Sequence, residues 1–280
     1  MKFKNKVALV TGASRGIGAA IAQALALEGC HVACADRATR STQQDIPGTL
    51  EETVEKAQTL GVEALAIPTN LAHADQVKVM VERANSHFGG IDILINNAAI
   101  NFMGDIFIDL KRHDLIMAVN LQAPLIAIRE CVPVFRERGA GRVINISSVA
   151  ALYPQAGQMS YGISKAGLER LTVDVANQLQ GDNISVNCFR IDMTVASEGF
   201  VANTPGLPRG NWEPCAVVAE GILWSLLQPV EFSGQLMSMN KLRHSEGIMN
   251  SRAEKAFSGK VPTSLVSGLL DCQNTIQWNG

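Results

Sequence analysis

The 280-residue chain is 47% hydrophobic and balances 24 Lys and Arg against 26 Asp and Glu. That length and apolar content suffice for one α/β domain over residues 1–280 with a substantial core. A net charge of −2 supplies neither the basic footprint of a nucleic-acid binder nor the cationic patch that holds an anionic membrane, which leaves small molecules as the expected partners.

The N-terminus is basic, but the apolar stretch 7–10 is far shorter than a signal-peptide core and runs straight into glycines. Stretch 6–10 reads as a first strand, and 19–27 has the spacing of a helix. No uninterrupted apolar run approaches the roughly 20 residues needed to span a bilayer, so a cytoplasmic protein is expected. Further buried strands are predicted at 31–35, 63–68, 91–96, 142–147 and 185–189, with helix-like stretches between them. Such alternation predicts a Rossmann-like, doubly wound parallel sheet with helices on both faces. Polar residues 38–49 read as a surface insertion, longer than a usual strand-to-helix loop. Residues 192–214 hold three prolines and lie beyond a strand's end, where a substrate lid is expected, before an apolar helix at 215–227. Residues 241–280 receive no structural assignment.

Cys30, Cys34, Cys131, Cys188, Cys215 and Cys272 contain no C-x-x-C pair and are expected to be reduced core residues. On a strand Cys30 and Cys34 share one face while His31 points to the other, which opposes a metal site.

The segment Thr11-Gly-Ala-Ser-Arg-Gly-Ile-Gly18 follows the first strand and precedes the first helix. Gly12, Gly16 and Gly18 allow a sharp turn and a close backbone approach, so Ser14, Arg15 and Ile17 can present N–H groups to a pyrophosphate at the helix's positive end. Asp36, at the end of the second strand, can accept hydrogen bonds from the adenosine ribose hydroxyls and repels a 2′-phosphate, which favours NAD. Arg15 and Arg37 would instead attract that phosphate, so NADP is the second reading.

Tyr161 and Lys165 are four residues apart at the start of an apparent helix, which stacks them on one face. A neighbouring ammonium stabilises a phenolate, so Tyr161 is expected to be acidified enough to exchange a proton with an alcohol or alkoxide. Alone, such a pair is also a common helix-surface feature. Ser148, just past the 142–147 strand, can hydrogen-bond the reacting oxygen, and adjacent Ser147 competes for that role.

With TGASRGIG at 11–18, NNA at 96–98, Asn120, Ser148 and YGISK at 161–165 in this order and spacing, the chain resembles the short-chain dehydrogenase/reductase family over residues 6–189. The resemblance implies Tyr161 as catalytic acid/base and Ser148 as the substrate-orienting hydroxyl. It implies that Lys165 lowers the tyrosine pKa and holds the nicotinamide ribose, and that Asn120 supports a water-linked proton path. It places Asn97 and Ala98 beside the adenosine ribose, Asn70 and Leu71 beside adenine, and suggests a homo-oligomer, often a tetramer. The family's NNAG ends here in Ala99, Ile191-Asp192 stands where a Pro-Gly pair usually introduces the nicotinamide-gripping segment, and 233–240 runs into an unfamiliar tail.

The expected activity is NAD(H)-dependent interconversion of a secondary alcohol and a ketone. An NADP(H)-dependent carbonyl reductase is the runner-up, and a non-catalytic nicotinamide-nucleotide sensor is the alternative of another class. Enoyl reductases of this kind space their tyrosine and lysine more widely. Tyr153, Gln155, Met159, Phe200 and Trp212 are candidate lining of a mostly apolar substrate pocket.

Overall fold

The computed structural model describes residues 1–42 and 45–254. Seven parallel strands form one sheet: β1 Val7–Thr11, β2 His31–Asp36, β3 Ala64–Pro68, β4 Ile93–Asn96, β5 Gly141–Ser148, β6 Ile184–Ile191 and β7 Leu236–Ser238. Their order is β3-β2-β1-β4-β5-β6-β7. The chain builds outward from β1 to β3, then crosses back to β4 and builds the other way. Two neighbouring connections therefore leave in opposite directions from the C-terminal ends of β1 and β4, which opens the crevice where such sheets bind ligands.

Burial explains the near-continuous apolar strands, since helices cover both faces. On one face, Ile21 and Leu25 of α1 (Gly16–Leu27) and Val218 and Ile222 of α8 (Cys215–Leu226) join Val10, Val32 and Ile95 in one cluster, which also takes in Val54 of α2 (Leu50–Thr59). On the other face, Val77 and Met80 of α3 (Ala74–Phe88) and Ile128 and Phe135 of α5 (Ala123–Arg138) pack on Leu9, Leu94 and Val143. Alongside α5 lies α6 (Met159–Gln178). The remaining helices are α4 (Leu110–Met117), α7 (Glu198–Asn203) and α9 (Met239–Glu246), the last following β7.

Several elements exceed the sequence reading. β5 and β6 run on to Ser148 and Ile191, and α1 begins at Gly16 rather than after the glycines. β7 and α9 have little periodicity and were not foreseen; Met239 and Leu242 anchor them in the core. Residues 255–280 of the unassigned tail lie outside the described residues. The 38–49 insertion is less peripheral than expected: Ala38 and Thr39 are buried, and Gly48 folds back onto the carbonyl of Ser14 and the side chain of Arg15. Leu110–Arg138 is a continuous 29-residue helical run apolar enough to cross a membrane by length and composition. Its apolar side chains Ala127, Cys131 and Phe135 are covered by the sheet and α3.

Burial raises the thiols of Cys30, Cys34, Cys188 and Cys215 from 9.0 to about 12, and that of Cys131 further still. Unfolded thiols ionise first, so the stability these sites contribute is complete below pH 9.0 and is lost as pH rises through the folded values. The urea midpoint is expected to fall between about pH 8.5 and about pH 10.5, and to fall less in Cys34→Ala. An equal fall in both proteins would show that this thiol plays no part.

Candidate active site

The phosphate loop is shaped by close approaches. Gly12 and Gly16 have φ of 67° and 59°, in the left-handed region where a side chain is strained. A Cβ at Gly12 would lie 2.8 Å from the Cα of Ala98, and one at Gly18 would overlap the carbonyl of Gly12. Thr11 Oγ1 accepts from the N–H groups of Asn97 (3.1 Å) and Ala98 (3.2 Å), while Asn97 Nδ2 donates to the carbonyls of Thr11 (3.0 Å) and Gly12 (3.2 Å). Asn97 thus fastens the end of β4 to the loop. No side chain caps α1, so its first-turn N–H groups, with the positive helix end, face whatever enters the crevice. This is a fitting cradle for a dinucleotide pyrophosphate.

Asp36 stands at the tip of β2 with both oxygens engaged. One accepts from the hydroxyl (2.7 Å) and N–H (3.3 Å) of Ser14, the other from the N–H groups of Arg37 (2.7 Å) and Ala38 (3.3 Å). A carboxylate has about four acceptor directions, so a ribose hydroxyl would replace the Ser14 hydroxyl. Arg15 Nη2 donates to the Gly48 carbonyl at 3.0 Å, and Arg37 is exposed. Asn70 Oδ1 accepts from Ala72 N–H at 3.1 Å, while Leu71 borders a narrow gap with Thr11, Asn96, Ala98 and Val119.

Tyr161 and Lys165 lie in the first two turns of α6, and Ser148 closes β5. Lys165 is 2% exposed; its Nζ donates to the Ile146 carbonyl at 2.7 Å and lies 5.6 Å from the centre of the Tyr161 ring. Burial lowers the Lys165 ammonium from 10.5 to about 8, partly offset by Cys188 and Glu169. Burial also raises the Tyr161 phenol, with the Ser148 hydroxyl pulling it down. Desolvation of the phenolate is the larger influence on Tyr161, while the Lys165 ammonium is turned onto a backbone carbonyl.

The two serines part company. Ser147 is buried and donates to Glu169 Oε1 at 2.7 Å, whereas the half-buried Ser148 accepts from Ala150 N–H at 3.2 Å and hydrogen-bonds the Tyr161 hydroxyl. Asn120 sits in a π-helical turn, Ala118–Gln122, between α4 and α5. Its side chain exchanges two 2.9 Å hydrogen bonds with the backbone of Ile100 and donates to Ser164 at 3.1 Å, so it ties the loop after β4 to α6 and makes no direct bond to Lys165.

Asp192 has a structural role that sequence reasoning missed: it accepts from Ser238 Oγ and from Asn240 N–H (2.9 Å), fastening β6 to the start of α9. The 192–214 segment is closed at its base where Glu213 N–H donates to Thr194 O and Ala196 N–H to Glu213 O, both at 2.8 Å. Within it Phe200 packs on Trp212 at 5.0 Å between ring centroids, and Ser197 rests against Gly16 of the phosphate loop. Tyr153 Oη is buried with no hydrogen-bond partner among the described residues. Also missed were the bond between His113 Nδ1 and Ser160 Oγ (2.9 Å) and the ion pair of Glu169 with Arg190. A lone buried Glu or Arg carries no sequence signal until its partner across the fold is known.

A glycine cradle at the sheet's switch point beside a tyrosine–lysine–serine group defines a nicotinamide-dependent oxidoreductase. The short chain dehydrogenase profile matches residues 6–198, and the chain belongs to the short-chain dehydrogenase/reductase family. It is 37% identical over 184 residues to a 3-oxoacyl-acyl-carrier-protein reductase FabG of Staphylococcus aureus, covering 65% of this chain and 72% of that one. A Xanthomonas campestris protein solved as a putative dehydrogenase shares the fold, with a TM-score of 0.81 at 24% identity over 93% of this chain and 98% of that one. A metagenomic short-chain oxidoreductase solved with NADP has a TM-score of 0.70 at 28% identity, covering 85% and 98%. The protein is thus an enzyme acting on CH–OH or C=O groups with a nicotinamide cofactor.

Ser147→Ala leaves Glu169 short of a buried donor and is expected to lower unfolding free energy by about 1–3 kcal/mol. Ser148→Ala, which loses the capping bond from Ala150 N–H, is expected to lower it by only about 0.5–1 kcal/mol. Urea titration compares the two, and equal losses would contradict the division of roles.

Proposed function

We propose that this enzyme interconverts a secondary alcohol and a ketone with NAD(H), using Tyr161 as proton donor and acceptor. The observation that carries the reading is the convergence of Tyr161, Lys165 and Ser148 beside the C-terminal end of β5, with Lys165 Nζ 5.6 Å from the Tyr161 ring centre. Nicotinamide, when bound, supplies or accepts the hydride. Ser148 donates a hydrogen bond to the substrate oxygen, and Tyr161 Oη delivers the proton to that oxygen in reduction or removes it in oxidation. Lys165 holds positive charge beside them, while Asn120 fixes the loop after β4 and stands at the far end of a water-linked path.

Burial favours the phenol form of Tyr161, the form that can protonate a developing alkoxide in reduction. Tyr161→Phe is expected to cut turnover of the best ketone in a small panel by at least about a thousandfold while NADH still binds, since this loss combines proton transfer with orientation of the substrate. A stopped assay and a fluorescence titration measure the two. Turnover within tenfold of wild type would defeat the mechanism.

NAD(H) is favoured because Asp36 places a carboxylate at the tip of β2, where a 2′-phosphate would meet repulsion. The NADP-bound relative and the cations Arg15 and Arg37 support NADP(H) as the second reading. Asp36→Ala is expected to weaken NADH and strengthen NADPH, each by about tenfold, for a change near 1.4 kcal/mol. The opposite pattern in binding titrations would reverse the assignment. At the Ile191-Asp192 departure, Asp192 anchors the start of α9. The exposed apolar side chains Leu125 on α5 and Ile163 and Val173 on α6 support a homo-oligomer.

A further inference from the structure

Beneath the reactive group lies a charged pair that none of the chemistry above requires. Arg190, in β6, donates through Nε to Glu169 Oε1 at 2.7 Å and through Nη2 to Glu169 Oε2 at 2.6 Å. The side chains are 5% and 7% exposed. Such a fork fixes both planes, yet a pair this deeply buried contributes little net stability relative to apolar residues of similar size. Its place in the fold is more informative than its strength. Ser147 and Arg190 are direct neighbours in the β5–β6 register, and Glu169 accepts from both of them. Ser147 immediately precedes Ser148 and follows Ile146, whose carbonyl receives Lys165 Nζ. Glu169 lies four residues beyond Lys165 on α6, and Arg190 immediately precedes the Ile191-Asp192 anchor.

We propose that Glu169 and Arg190 are positioning residues for the reaction: their buried fork locks β5, α6 and β6 together so that Ser148, Lys165 and the nicotinamide-facing end of β6 keep a fixed arrangement around Tyr161. The pair stiffens the strand end where Ile191-Asp192 replaces Pro-Gly. Its carboxylate also favours the charged form of Lys165. The ionisable groups around it are Lys165 on α6, and Cys188, Arg190 and Asp192 on or next to β6; the contact from β5 is the uncharged Ser147. This inference rests on the Tyr161–Lys165 reading of the site.

The test compares wild type with the double substitution Glu169→Met/Arg190→Met and with Arg190→Lys, in the full chain, using NADH and the ketone of the panel that wild type reduces fastest. The double variant removes both charges and keeps apolar bulk, so its thermal midpoint is expected to fall only by what the lost Ser147 bond contributes. Its kcat should fall by about tenfold or more while the KM for NADH changes by less than about threefold, because position rather than cofactor contact is lost. Without the carboxylate, Lys165 loses its proton at lower pH, so the alkaline limb of the kcat profile should move to lower pH. Arg190→Lys, which keeps the charge but not the fork, should recover part of kcat and restore the limb. If the double variant does not fold, Arg190→Lys decides: kcat reduced with an unmoved limb supports positioning, and wild-type kcat overturns it. A folded double variant with wild-type kcat and pH profile, or a fallen thermal midpoint with both unchanged, would show a purely structural pair. Failure of the underlying reading is separable, since Lys165→Ala would then leave turnover intact.

Discussion

The geometry of this enzyme depends on how closely the first turn of α1 approaches the end of β1. A single Cβ at Gly18 would overlap the Gly12 carbonyl, and the contact holds because both positions lack a side chain. From it follow the direction of α1, the exposure of its uncapped first-turn N–H groups and the position of the crevice at the β1–β4 switch point. Asn97 reinforces the same contact from β4 by donating to the two carbonyls that begin the loop. The site for an anionic cofactor is therefore built from backbone, and its tolerance for substitution is set by space rather than by charge.

The reacting half of the site is organised by burial instead. Taking the Tyr161 phenol and the Lys165 ammonium out of water moves each toward its neutral form, so the pair does not begin as phenolate and ammonium. A protonated tyrosine is the form that the proposed reduction would use as proton donor. The lysine retains a carbonyl partner in Ile146, and this bond leaves its charge close to the ring without neutralising the phenol's own desolvation cost.

The departure from the family pattern at Ile191-Asp192 is held by contacts local to it. Asp192 is a side-chain anchor to Ser238 and Asn240, and Arg190 beside it is held by Glu169. The segment over the phosphate loop is closed by backbone bonds between 194–196 and Glu213, while Arg243 Nη1 donates to Glu213 at 2.9 Å from α9. The C-terminal part of the described chain therefore braces the strand end and the candidate lid together.

The sequence by itself determined the alternation of strands and helices, the glycine loop and the Tyr161–Lys165 spacing. These are local properties: an apolar run, a missing Cβ and a four-residue interval act within a few residues of where they are written. Only the tertiary structure gave Ser147 its partner, because adjacent strand residues point to opposite faces and only the fold says which face holds Glu169. The direction of the Tyr161 shift was equally out of reach, since desolvation depends on everything packed around the ring. So were β7 and α9, which are short and weakly periodic, and the Glu169–Arg190 pair, whose members are 21 residues apart in sequence and meet because β6 is laid beside β5 under α6.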